Sequence, residues 1–182
     1  MRRAKRERNI AVNHQARVSC VESASLLITE VVSPTGLFKQ TIYWPLYLFS
    51  RYMRDGTSVQ VSASSPKFEG ETLPTWISKI KGFPDVLDVS AVLRTDPTTK
   101  VRSLRVAVLN RSETETYDVP LRVAFERVAS DVEVYELWHA DVRARNGWEH
   151  EDEVSVKARR EKWQGWWTFR AHSFTLLMLD LE

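Results

Sequence analysis

A chain of 182 residues with 43 % hydrophobic and 10 % aromatic content, seven Trp among them, has enough apolar mass for one buried core and does not read as a disordered polymer. Its 26 basic and 24 acidic residues leave a formal charge of +2, too even a balance to build a field for nucleic acid or an anionic membrane. Cys20 is the single cysteine, which excludes an intrachain disulfide and a cysteine-built metal site.

Residues 1–23 are polar and basic without clean periodicity and are expected to be a poorly ordered tail. Arg2, Arg3, Lys5, Arg6 and Arg8 invite a reading as a nuclear-localisation or RNA-binding arm, but no aromatic residues are interleaved with them, which favours a solvated tail. The N-terminus lacks the apolar core of a secretory signal, and no apolar run approaches the roughly 20 residues of a membrane helix. At face value the chain is not exported; Asn110-Arg111-Ser112 matches a glycosylation acceptor that matters only on a secreted chain.

Residues 24–56 predict a short strand, a loop and a helix. Ser33 before Pro34 has the form of an N-cap followed by proline at the first helical position. Phe38, Ile42, Pro45, Leu46, Phe49, Tyr52 and Met53 then recur at steps of three and four, a helical pattern that Pro45 is expected to kink. Lys39 and Gln40 fall near this expected helix start, where backbone amides and polar side chains can converge on a ligand.

Residues 57–182 change to strand patterns after the turn pair Asp55-Gly56. Thr57 to Ala63 alternates, with Val59, Val61 and Ala63 on one face. Pro66 to Pro84 is a long irregular connection with Trp76 and Phe83 as packing anchors. Strands are expected at Val86 to Arg94, Ser103 to Asn110, Glu115 to Val123, Val132 to His139 and Phe174 to Leu181, with weaker ones at Val154 to Ala158 and Trp166 to Ala171. Seven to nine short strands about ten residues apart indicate a mainly β chain, an antiparallel sandwich or jelly roll.

Few residues in this sandwich carry chemistry. Glu149-His150-Glu151-Asp152-Glu153 is a candidate metal site or carboxylate pair, but adjacent carboxylates cannot straddle a sugar ring and no second histidine stands at ligand spacing, so a solvated loop is expected. His139 and His172 have no nucleophile elbow to serve and read as structural. Trp163, Trp166 and Trp167 offer an aromatic platform for a sugar or, with more weight, core packing; in a strand Trp166 and Trp167 point to opposite faces.

The run Lys39-Gln40-Thr41-Ile42-Tyr43-Trp44-Pro45 resembles the last barrel helix of the α-L-arabinofuranosidases of glycoside hydrolase family 51, the fungal members above all. The likeness continues through Ser65-Pro66-Lys67-Phe68-Glu69-Gly70, Val108-Leu109-Asn110-Arg111, Asn146-Gly147-Trp148 and His172-Ser173-Phe174-Thr175-Leu176, covering about Ser33 to Glu182, and fails upstream. It implies a C-terminal β-sandwich preceded by the last strand and helix of a (β/α)8 barrel. It implies that Gln40 lies beside the arabinofuranose pocket, and that the acid/base and nucleophile glutamates belong to barrel strands upstream of Met1. No glutamate here takes either role and no cofactor or metal is implied.

The expectation is therefore a C-terminal piece of an α-L-arabinofuranosidase, inactive alone, in a parent that hydrolyses terminal α-L-arabinofuranosyl residues of arabinose-containing polysaccharides. A truncated gene or a misplaced coding start would produce such a chain. The compartment is left open, since fungal members commonly act outside the cell. The competing readings are a free-standing carbohydrate-binding sandwich and a docking subunit. The helix from Gln40 to Arg54, deprived of barrel neighbours, is expected to seek a barrel partner or another copy of the chain.

Overall fold

Valine and leucine at alternate positions make the sandwich, and the runs they mark are strands in the computed structural model, which describes residues 10–13, 30–33, 36–68, 84–124, 126–147 and 149–182. The strands are β1 Ile10–Asn13, β2 Glu30–Ser33, β3 Gly36–Lys39, β4 Thr57–Ser58, β5 Gln60–Ala63, β6 Leu87–Thr95 and β7 Arg102–Asn110. They continue with β8 Tyr117–Val123, β9 Val128–Leu137, β10 Val156–Lys162, β11 Trp166–Phe169 and β12 Phe174–Leu181. Helix α1, Tyr43–Leu48, runs into a π-helical turn at Phe49–Met53.

Two sheets oppose each other. One has the order β10-β9-β12-β7-β6-β4, the other β11-β8-β1-β5, and β2 pairs with β3 in a separate hairpin. All pairings are antiparallel except β1 with β8. Leu104, Val106 and Val108 of β7, Val132 and Val134 of β9 and Leu177 and Leu179 of β12 face Tyr117, Val119, Leu121, Trp167 and Phe169 of the smaller sheet in one buried core. Fully burying a side chain of this size contributes about 1.5–3 kcal/mol. The opposite face of the larger sheet is also covered: Leu48 of α1 packs with Ala107, Leu137, Val154, Phe174 and Leu176. That second cover explains why β12 is apolar at almost every position, since a strand buried on both faces has no water-facing register to mark.

Local chemistry sets the corners. Asp96 Oδ1 accepts from the amides of Thr98 at 2.8 Å and Thr99 at 2.7 Å in the turn between β6 and β7. These bonds hold the Asp96 carboxyl below its ordinary value of 3.8. The expected strand from Thr57 to Ala63 is split at Val59, whose amide donates to Ala91: β4 belongs to the larger sheet and β5 to the smaller, so the chain changes layer at one residue. A Cβ at Gly56 would lie 2.5 Å from Cγ1 of Val92 and 2.9 Å from the Leu93 carbonyl, so only glycine lets this corner approach β6 so closely.

Two expectations for the first half are corrected. Ser33 is not an N-cap: it closes a hairpin opposite Gly36, and the helix begins at Tyr43 with Ile42 at its N-cap and no side-chain cap. Pro45 does not kink the helix because it is the third helical residue, where the amide has no intrahelical acceptor to lose. The strand at Ile10–Asn13 lies inside the segment expected as a tail and sits between β8 and β5. The basic arginines, Cys20, Trp76 and Phe83 lie outside the described residues.

Candidate functional site: a pinned aromatic helix

The helical segment is fastened to the sandwich at both ends. At its start, the buried Asn146 side chain uses both of its functions: Nδ2 donates to the carbonyls of Lys39 at 3.0 Å and Val154 at 2.9 Å, and Oδ1 accepts from the Val154 amide at 2.7 Å. The Asn146 amide donates to Thr41 Oγ1 at 3.1 Å, and Trp44 Nε1 donates to Val154 at 3.1 Å. At the far end Arg105 on β7 donates to the Tyr52 carbonyl and stands over the Tyr52 ring, a cation placed where a helix terminus is negative. Tyr52 and Tyr135 rings lie 4.6 Å apart, their hydroxyls are 2.8 Å apart, and Tyr135 donates to Glu133 at 2.6 Å. Burial first, then the bonds to Glu133 and Tyr52, pushes the Tyr135 hydroxyl well above the ordinary tyrosine range, so it remains a donor.

Pinned this way, the helix turns Ile42, Leu46, Tyr47 and Phe49 outward, each 38 to 50 % exposed. Beside it a shallow groove of about 190 Å³ is lined by Thr41, Pro45, Leu109, Val142, His172 and Phe174 among others. Leu109 and Val142 are themselves exposed, which extends the apolar surface beyond the helix. Four exposed apolar side chains between residues 42 and 49, next to an apolar groove, form a contiguous patch.

The residues singled out from sequence do not form one site. Gln40 is half-buried in the link between β3 and α1, and its carbonyl accepts from the Tyr43 amide. Lys39 Nζ stands 5.5 Å and 5.3 Å from the ring centres of Tyr43 and Trp44. Trp167 is buried in the inter-sheet core and Trp163 packs against that core half-buried, while Trp166 is 45 % exposed. The larger sheet therefore separates Gln40 from the Trp166 face. His172 is held by contacts of its two ring nitrogens with the carbonyls of Glu113, 3.0 Å from Nδ1, and His139, 2.7 Å from Nε2. The acidic run from Glu149 to Glu153 is exposed, on and after the tight turn closed by Gly147 and His150. Asn110 is buried, with Nδ2 against the carbonyls of Glu115, Phe169 and Arg170 and Oδ1 accepting from the Ser112 amide, so in the folded chain this amide is not free to carry a glycan.

Comparison with known proteins decides the family. The model of the α-L-arabinofuranosidase C-terminal domain matches residues 10–173. The chain belongs to this family. The probable α-L-arabinofuranosidase C of Aspergillus clavatus is 35 % identical over 166 residues, 91 % of this chain and 30 % of that protein. The α-L-arabinofuranosidase C of Emericella nidulans is 32 % identical over 161 residues. The crystal structure of the Thermotoga maritima α-L-arabinofuranosidase in its arabinose complex shares the fold at a TM-score of 0.66 and 21 % identity, over 84 % of this chain and 31 % of that one. The family 51 arabinofuranosidase of Xanthomonas axonopodis pv. citri gives 0.64 at 18 % identity. The chain thus spans about a third of the length of the relatives it matches and corresponds to the family's C-terminal domain. The family match also reaches upstream of Ser33, to the first residue of β1, which corrects the expectation that the likeness ends there.

Sequence reasoning missed Asn146, Arg105 and Tyr135. The motif Asn146-Gly147-Trp148 was visible, but the partners of Asn146 at Lys39 and Thr41 lie 107 and 105 residues away.

Proposed function

We propose that this arabinofuranosidase C-terminal domain is a non-catalytic sandwich that presents its pinned helix to a catalytic barrel, in an assembly that removes terminal α-L-arabinofuranosyl residues from arabinose-containing glycans. The observation that carries this reading is the outward row Ile42, Leu46, Tyr47 and Phe49 on a helix fixed at both ends. Retaining glycoside hydrolysis needs two carboxyl groups about 5–5.5 Å apart around one sugar. The acidic turn borders an open depression of about 450 Å³ that Glu149 and Glu153 share with Arg143 and Arg145, a solvated surface in place of a closed sugar pocket. On this reading residues 24–56 are the barrel-derived part and residues 57–182 the sandwich, which β1 completes from the N-terminal side. Gln40, at the entry to the helix, is the residue proposed to reach a substrate hydroxyl once a barrel is in place.

The test is reconstitution with a separately produced arabinofuranosidase barrel. The chain alone is expected to release no arabinose from an aryl arabinofuranoside, and to co-purify with the barrel unless Leu46 and Phe49 are both changed to Glu. In the complex, Gln40→Ala is expected to raise KM more than it lowers kcat. Hydrolysis by the isolated chain, or failure of the unaltered chain to associate, would overturn the proposal.

A further inference from the structure

The smaller sheet carries a feature that barrel docking leaves unused. Its outer face, away from the core, is polar at Gln60 and Ser62 on β5 and at Asp118 and Arg122 on β8, all exposed. On β5, β8 and β11 of this sheet, Trp166 is the one large exposed hydrophobic side chain. It lies directly opposite Pro120, and Thr168 lies opposite Asp118, so Trp166, Pro120, Thr168 and Asp118 share one face of the β11 and β8 ladder. Thr168 Oγ1 donates to Asp118 Oδ1 at 2.6 Å, which fixes one carboxylate oxygen of an exposed side chain diagonal to Trp166 on the same face. Arg122, two residues beyond Pro120 on the same face, supplies donors on the other side.

We propose that this face binds a neutral polysaccharide chain, with Trp166 stacked on a sugar ring and Asp118 and Arg122 hydrogen-bonded to its hydroxyls. The chemistry selects this ligand over a protein. A protein interface needs a contiguous apolar centre, and the surroundings of Trp166 are polar. A pyranose or furanose presents one C–H face to an aromatic ring and a fringe of hydroxyls to fixed acceptors and donors. The face is nearly charge-balanced, with Asp118 against Arg122, which favours an uncharged glycan over an acidic one. Trp167 and Trp163 take no part: the first is sealed in the core and the second packs against it. The site lies across the sandwich from the helix and does not depend on the barrel.

Affinity electrophoresis of the full chain in gels containing wheat arabinoxylan tests this directly. The unaltered chain is expected to be retarded relative to a gel without polysaccharide, Trp166→Ala to bind about tenfold more weakly, and Trp166→Phe to retain most of the retardation. Asp118→Ala is expected to weaken binding as well. Circular dichroism of each variant establishes that the sandwich is intact, as expected for a half-exposed position. No retardation of the unaltered chain, or equal retardation of folded Trp166→Ala, would overturn the proposal. Neither result bears on barrel docking, which is read by reconstitution.

Discussion

Asn146 shows how one amide can hold two layers together. Its donor and acceptor functions match the carbonyls of Lys39 and Val154 and the amide of Val154, and its burial means that no water takes over when they are lost. Asn146→Ala leaves those groups without partners inside the protein, so it is expected to lower unfolding stability by about 2 kcal/mol or more in chemical denaturation, and to shift Trp44 emission toward that of a solvated indole. Unchanged stability and emission would show that the helix is held by Leu48 packing alone. Asp96 makes a pH-dependent contribution of definite sign. Its folded-state pKa is depressed by the amides of Thr99 and Thr98, so the stabilisation is complete above the ordinary value of 3.8 and disappears as pH falls through the lower folded value. Asp96→Ala should therefore unfold more readily than the parent at pH 7 and match it in strong acid; a gap that stays constant with pH would refute the assignment. The bonds of Asp96 stay within Asp96-Pro97-Thr98-Thr99 and are a local matter, whereas the partners of Asn146 are set by tertiary structure.

Among the elements, the sandwich strands were legible because alternation of apolar residues is a local signal that survives in β6, β7, β8 and β9, while β12 reads as a short continuous apolar run. The helix boundary was not. Ser-Pro is an N-cap sequence in isolation, yet pairing of β2 with β3 takes Ser33 and delays the helix to Tyr43. β1 escaped notice because four residues carry no periodicity and its partners are at Gln60–Ala63 and Leu121–Val123. Opposite facing of Trp166 and Trp167 was predicted from strand geometry and is observed. The exposed helix face leads to a prediction about behaviour in solution. Produced without a barrel, the chain should elute above its monomer mass and enhance the fluorescence of a hydrophobic dye. Leu46→Glu with Phe49→Glu should restore the monomer with little change in unfolding midpoint, because both side chains are already about two-fifths exposed. A monomeric unaltered chain that leaves the dye dark would contradict it.

For the whole molecule, the layers differ in character: a sealed core between two sheets, an exposed apolar helical surface on one side and, on the other, a sheet face that carries the exposed Trp166. The central place of β1 has a further consequence, for the order in which the chain can assemble. The β8 partners of Ile10–Asn13, at Leu121–Val123, leave the ribosome more than a hundred residues after this strand, about 5–20 s later at ordinary synthesis rates. Until then β5 offers β1 one neighbour and the other edge stays open. An early strand is thus held with one open edge until β8 arrives, and the larger sheet waits longer still, because β12, which joins β9 to β7, is the latest of the described strands.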